Sequence, residues 1–347
     1  MYPTSWNRIM IAAALLAGTA FAAATINYHL ANTYKFGAAP GGREYFDYIT
    51  FDPGSHRLYL SHGTEVLVVN ADTGKEEGKI SRLERSHGVA IVPQLGRGLI
   101  SDGEQGKAVI FDLKTLKVVG EAKAAPDADC ILYDPVSHLI FTFNGDSHSA
   151  TVIDPATGKN VGTIDLGGGP EFAVADGRGM IYNNLEDKSE VLAIDSSNLQ
   201  VRSRWPIAPA GEPSPIAMDR EHRRLFIAGR KPAMLVVMNA DNGKVIQSFP
   251  ISNGADADVY DPKTRLIFVS TRDGWVHIFH EDSPDRYGEV GKVKTEFGAK
   301  TMAYDPETGR IFVDTAKFGK PPQTGKHRHN RESEPIPGTF HLLVYAR

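Results

Sequence analysis

Cysteine is nearly missing: 347 residues contain one, Cys130, so no intramolecular disulfide is available and the fold must be held by its core. Tryptophan is almost as scarce. Of three, Trp6 lies near the N-terminus, while Trp205 and Trp275 precede Pro206 and Val276, so the Trp-Asp dipeptide of WD40 blades does not occur. There is no Gly-x-Ser-x-Gly elbow, no His-Glu-x-x-His pair and no Walker loop, which excludes the usual forms of serine-hydrolase, zincin and P-loop chemistry. Charge of one sign is not in excess either. Lys and Arg number 38 against 42 Asp and Glu, a net charge of −4, which argues against nucleic acid as a partner because phosphate binding needs a basic surface. Long amphipathic helical windows are wanting too. The 21 Pro and 34 Gly are spread evenly, as in one large all-β domain.

The N-terminus reads as a targeting segment. Arg8 precedes the apolar run Ile9 to Phe21, and small residues stand at Ala20 and Ala22, the pattern of a cleavable secretory signal. Residues 1–24 are therefore expected to be a signal peptide, cut between Ala22 and Ala24, and the product to be periplasmic or secreted. The run falls short of the ~20 residues a spanning helix needs, so no stable transmembrane segment is expected after processing.

What the chain does contain is repetition. Asp261-Pro262-Lys263-Thr264-Arg265-Leu266-Ile267-Phe268-Val269 has close copies beginning at Asp52-Pro53, Asp134-Pro135 and Asp305-Pro306, and weaker ones at Val92-Pro93, Ala175-Asp176 and Asp219-Arg220. A large apolar residue follows each anchor by seven places, at positions 59, 99, 141, 182, 226, 268 and 312, a period near 42. Asp and Pro open turns. The run after each turn is rich in β formers, a third run ends in Asn70, Asp112, Asp154, Asp195, Asn239 or His280, and an Asx-x-x-x-Gly-Lys-like turn then leads to a more polar fourth run. Four strands per period make one propeller blade, so the spacing predicts a seven-bladed β-propeller over residues 25–347. The last copy stops at Arg347 without its fourth strand. The stretch near 26–36 is expected to supply it and to close the ring, which leaves no open seam. Residues 317–337, with Lys326-His327-Arg328-His329 and almost no large apolar side chain, read as a solvated loop inserted in the last blade; a metal or polyanion role for His327 and His329 is the sharper alternative.

The period, the Asp-Pro-x-x-x-Arg-Leu-Tyr phrase, the Asx-x-x-x-Gly-Lys turn and the leader together resemble the YVTN-repeat, YncE-like family of exported bacterial β-propellers. The likeness extends over nearly all of 26–347 and includes Gly106 to Lys117 and Pro337 to Val344. The naming tetrapeptide is degenerate here, as Tyr59-Leu60-Ser61-His62 and Tyr182-Asn183-Asn184. The resemblance implies a fold and an exported location, with no catalytic residue to carry over.

Function must be read from the site, because the propeller is a scaffold. Five places before each anchor stand Asp47, His87, Asp129, Pro170, Ser214, Asp256 and Lys300, with Glu171 and Glu212 beside Pro170 and Ser214. These residues should line one mouth of the central channel and make it acidic. The returning strands would add His62, Asp102, Asn144, Asn184, Arg230 and Arg272. Such a mouth is a candidate ligand site for Asp47, His87, Asp129, Glu171, Glu212, Asp256 and Lys300. Three readings stay open: solvated loop residues, a receptor for a divalent cation, and a receptor for a cationic amine or peptide. No cofactor is identified, although a divalent cation is possible. The partner is an unknown small molecule, a peptide or another envelope protein. A rival of another class is a metal-dependent hydrolase of lactonase-like type, with His87 as general base. Cys130, next to Asp129, reads as a packed thiol; Gly167-Gly168-Gly169-Pro170 as an inter-blade turn; and Arg220, His222, Arg223 and Arg224 as a basic hairpin tip on the opposite face.

Overall fold

Twenty-eight strands form seven four-stranded antiparallel sheets in a computed structural model that describes residues 26–42, 44–319 and 334–347. The first strand of each sheet contacts the first strands of the neighbouring sheets, and that series closes on itself, so the fold is a seven-bladed β-propeller. The innermost strands are Ile49–Asp52, Ser86–Val92, Ala128–Asp134, Pro170–Ala175, Pro213–Asp219, Ala255–Asp261 and Met302–Asp305, in blades 1 to 7. In blade 7 the outermost strand is His29–Lys35, paired antiparallel with His341–Ala346, as the missing fourth strand required. The expected signal peptide lies outside the described residues, as do His327, His329 and most of the inserted loop. No described helix is long and apolar enough to cross a membrane.

The repeat forms blades for local reasons. Each anchoring aspartate caps its own turn: Asp52 accepts from the Gly54 N–H at 3.0 Å and the Ser55 hydroxyl at 2.6 Å, and Asp134 from the Val136 N–H at 3.3 Å and the Ser137 hydroxyl at 2.7 Å. Four residues past the anchor the backbone turns left-handed, at His56, His138, Arg223, Arg265 and Gly309. The chain can then return as the second strand. There it places the residue on which the period was read, and Tyr59, Leu99, Phe141, Tyr182, Phe226, Phe268 and Phe312 are at most 1% exposed between blades. Burying a side chain of this size contributes about 1.5–3 kcal/mol, so seven such positions explain why the apolar residue returns more faithfully than its neighbours.

Polar groups on the second strands stitch the inner strands together. The Ser101 hydroxyl donates to the Asp129 carbonyl at 2.5 Å, the Asn184 amide to the carbonyls of Ser214 at 2.9 Å and Pro215 at 3.0 Å, and the Ser270 hydroxyl to the Lys300 carbonyl. Thr301, just before the inner strand of blade 7, likewise donates to the Asp47 carbonyl of blade 1 at 2.5 Å. These bonds hold adjacent inner strands in one axial register, so equivalent residues stand at one height. In blade 4 the register corrects the five-residue count. Val174 pairs with Tyr182 as Leu132 pairs with Phe141, and Asp176 caps the turn by accepting from the N–H groups of Arg178 at 2.7 Å and Met180 at 2.9 Å. The anchor is therefore Asp176, and the residue at the mouth is Glu171, not Pro170.

Candidate functional site

At the channel mouth each blade contributes one side chain from the equivalent position at, or two residues before, the start of its inner strand: Asp47, His87, Asp129, Glu171, Ser214, Asp256 and Lys300. Most touch their neighbours. The His87 Nδ1–H donates to Asp47 Oδ2 at 2.8 Å, and Asp129 Oδ1 lies 3.2 Å from the same nitrogen. Lys300 Nζ stands 3.4 Å from Asp47 Oδ1 and 2.9 Å from Asp256 Oδ2. Arg230, from the second strand of blade 5, pairs with Asp256, donates to Ser214 Oγ at 2.9 Å and reaches Glu186 Oε1 at 2.8 Å. The Ser214 hydroxyl in turn donates to Glu171 Oε2 at 3.0 Å.

The electrostatics follow from this chain of contacts. Burial alone would lower the His87 pKa, but the carboxylates of Asp129 and Asp47 override it and raise it to about 10. His87 is thus an imidazolium at neutral pH. Against the effect of burial, Lys300 and His87 hold Asp47 below the usual carboxylate range, while Asp256 and Asp47 hold Lys300 above the usual lysine range. Asp256 is likewise lowered by Lys300 and Arg230 in spite of its burial. Glu171 goes the other way. Burial pushes it up to about 8, with Arg230 opposing and Asp129 adding. Three cations, His87, Lys300 and Arg230, therefore meet four acidic side chains, Asp47, Asp129, Asp256 and Glu186, and Glu171 is uncharged at neutral pH. The acidic side chains expected at the entrance are for the most part paired, because the inter-blade spacing lets each cation reach a carboxylate of the next blade.

One junction of the ring differs. Among the described residues no hydrogen bond or ion pair joins Asp129 of blade 3 to Glu171 of blade 4; buried Asp129 Oδ1 has the His87 imidazolium 3.2 Å away on its other side as its ion-pair partner. One residue further along the inner strands, Tyr48 of blade 1 and Phe172 of blade 4 bring their ring centroids within 4.5 Å. Blades 1 and 4 are not neighbours, so this aromatic pair spans the channel and gives the mouth a floor.

Several expected residues stand elsewhere. Glu212 lies off the ring, its side chain 38% exposed and 3.3 Å from Lys231 Nζ. His62 pairs with buried Glu44 and stacks on Phe340. Asp102 accepts from the N–H groups of Glu84 and Arg85, and Asn144 donates to the Ser149 carbonyl, so both hold backbone. Arg230 does enter the ring, and the charge of Arg272 is felt by Lys300. Cys130 is buried, its thiol pushed up by burial and by Asp129, as suits a packed side chain. The glycine run is an inter-blade turn capped by carboxylates, with Gly167 N–H on Asp165 at 3.0 Å and Gly169 N–H on Asp187 at 2.8 Å. On the opposite face the basic tip is neutralised where it stands: Arg223 pairs with Asp176 and Asp241, and Arg224 with Asp285. Sequence reasoning missed Tyr45, Tyr48, Phe172 and Glu186. Tyr45 donates to Asp47 at 3.0 Å from two residues upstream, outside the counted position, and Glu186 enters from the loop after a second strand. His87 also depends on Gly103, where a Cβ would come within 2.7 Å of the imidazole Nε2.

Atoms of Asp47, His87 and Asp129 also lie within 4.8 Å of one another, a spacing a metal ion can use. That set is already occupied by positive charge, since Lys300 sits on Asp47 and the imidazole carries its proton.

No protein-family model and no curated protein matches the chain. Among solved structures, a chain of the Kuenenia stuttgartiensis hydrazine synthase superposes with a TM-score of 0.69 at 16% identity, covering 77% of this chain and 91% of that one. A chain of the mitotic checkpoint complex superposes with a TM-score of 0.72 at 11% identity, covering 100% of this chain and 99% of that one. At such identities the likeness is one of fold.

Proposed function

We propose that this chain is an exported propeller of the YVTN-repeat, YncE-like kind that serves the cell envelope as a binding module, and that its ligand presents a cationic group to the channel mouth between Asp129 and Glu171. The observation that carries the reading is the open junction. Around the rest of the ring the groups are joined to their neighbours by hydrogen bonds or opposite charge, whereas here two carboxyl groups adjoin with no cation between them. An ammonium placed there gains both carboxylates, because its arrival favours ionisation of Glu171, and it has the Tyr48–Phe172 aromatic pair as a neighbour one residue further along the inner strands. Primary amines and basic peptides fit this description. The metal-dependent hydrolase reading has less support, since His87 as an imidazolium has no lone pair with which to act as a general base.

Calorimetric titration of the chain without its leader against putrescine, a Lys-Arg peptide and calcium tests the proposal. Saturable binding of the amine and the peptide is expected, and it should be lost in Asp129→Asn/Glu171→Gln. The reading fails if the parent gives no saturable response to either, or if the double variant binds equally well.

A further inference from the structure

On the opposite face of the propeller, at the junction of blades 5 and 6, Asp219, His222 and Glu281 converge. His222 Nδ1 lies 2.6 Å from Asp219 Oδ2 and 3.4 Å from Glu281 Oε1, and the three ligand-type atoms fall within 4.8 Å of one another. The two carboxylates are 1% and 0% exposed, whereas His222 is 25% exposed and opens the group to solvent.

The repeat itself shows what is unusual here. Three residues after the anchor, blades 1, 3, 6 and 7 bond a hydroxyl to the capping aspartate, Ser55, Ser137, Thr264 and Thr308, whereas blade 5 places His222 there. At the end of the third strand, where an N–H bonds back to the turn, blades 1, 2, 4 and 5 carry Ala71, Leu113, Ser196 and Ala240; blade 6 carries Glu281. The reason lies one residue earlier. Asn70, Asp112, Asp154, Asp195 and Asn239 cap the next turn with their side chains and end the strand, but His280 bonds to Asp282 instead, and the strand Trp275–Ser283 runs on with its partner Arg286–Lys294. The two departures from the repeat, in different blades, meet at one point in space.

Charge and hydrogen bonding then suggest the occupant. Two buried carboxyl groups stand beside one imidazole, and the nearest cation on the same turn, Arg224, is engaged by Asp285 at 3.0 Å and by the carbonyls of Pro284 and His222. The carboxylates are also oriented from behind: Tyr260 donates to Glu281 Oε2 at 2.6 Å, Tyr287 to Oε1 at 3.3 Å, and the Glu221 N–H to Asp219 Oδ1 at 3.0 Å. Ligating carboxylates are held in this manner in metal sites. We infer that Asp219, His222 and Glu281 form a binding site for a divalent transition-metal ion of the zinc type, which displaces to solvent the Nδ1 proton that His222 donates to Asp219 and is bound by that nitrogen and two carboxylate oxygens, with the solvent side left for water. The ion matches the two negative charges and fastens blade 5 to blade 6. This site is independent of the channel mouth.

The test uses the full chain, stripped with a chelator and titrated with zinc chloride by calorimetry and by thermal melting, with cobalt as a spectroscopic substitute. His222→Ser and Glu281→Ala each restore a side chain that other blades carry, and Glu281→Gln keeps the shape should the alanine variant not fold. The parent should bind one zinc equivalent more than any of these variants, or bind it about a hundredfold more tightly, and should show a zinc-dependent rise in melting temperature and a cobalt absorption band that they lack. Asp129→Asn at the mouth should leave that equivalent unchanged. Equal stoichiometry and affinity in the parent and the His222→Ser variant, or no saturable zinc binding by the parent, would overturn the inference.

Discussion

Replacing Glu171 by Gln isolates the cost of one buried carboxyl in the ring. Its pKa is raised from an ordinary 4.5 to about 8, first by burial and then by Asp129, with Arg230 opposing. The folded state therefore holds a proton that the unfolded state releases. Stability is undiminished by this group below its unfolded pKa and declines as pH rises through the interval up to about 8, where the folded form also ionises. At about 1.36 kcal/mol per pH unit, the interval corresponds to about 4–5 kcal/mol as a ceiling, and partial access to solvent at the mouth brings the expectation to roughly half of that. The amide of the Glu171→Gln variant has no such proton to lose. Urea denaturation of parent and variant at several pH values should thus give a difference in unfolding free energy near zero at about pH 4.5, growing in favour of the variant to about 2 kcal/mol at about pH 8, then level. His87, raised to about 10, loses its stabilising contribution between about 6.5 and 10, but it does so in both proteins and cancels from the difference. A difference that does not change with pH would refute the reasoning, since it would mean that Glu171 titrates alike in the folded and unfolded chains.

Two further outcomes are expected. Asp258 stands where the paired register gives the other inner strands Ile49, Val89, Ile131, Ala173, Ile216 and Met302, and both its oxygens are buried without partners while burial pushes the carboxyl well above its usual range; Asp258→Ile should therefore raise stability by about 1–3 kcal/mol at neutral pH, measured as a shift in urea midpoint, and an unchanged or lowered midpoint would show that the carboxyl is satisfied in solution. Removing residues before Gly41 deletes the His29–Lys35 strand and uncovers the edge of His341–Ala346, so the melting temperature should fall markedly; a melting curve like that of the parent would show that the outer strand contributes nothing to closure.

Much of the architecture was legible in the residues alone because it is set locally. An aspartate that caps its own turn in six blades, with Val92-Pro93 in its place in blade 2, is followed each time by a β-rich run with one large apolar residue at a near-constant offset, and the count and period of strands follow without knowledge of what touches what. The closing strand was legible for the same reason, since a blade that ends one strand short must find it elsewhere. Position along each inner strand was legible as well, to within the one-residue slip in blade 4, where Asp176 rather than Ala175 caps the turn. Pairing was not. Whether Lys300 neutralises Asp47 or Asp256, whether His87 carries a proton, and whether Glu171 is ionised depend on distances between blades, which are set by how seven sheets pack into a ring. The meeting of His222 with Glu281 is of the same kind: each is a small departure in its own repeat, and only the tertiary structure lays the end of one blade's third strand against the first turn of the blade before it.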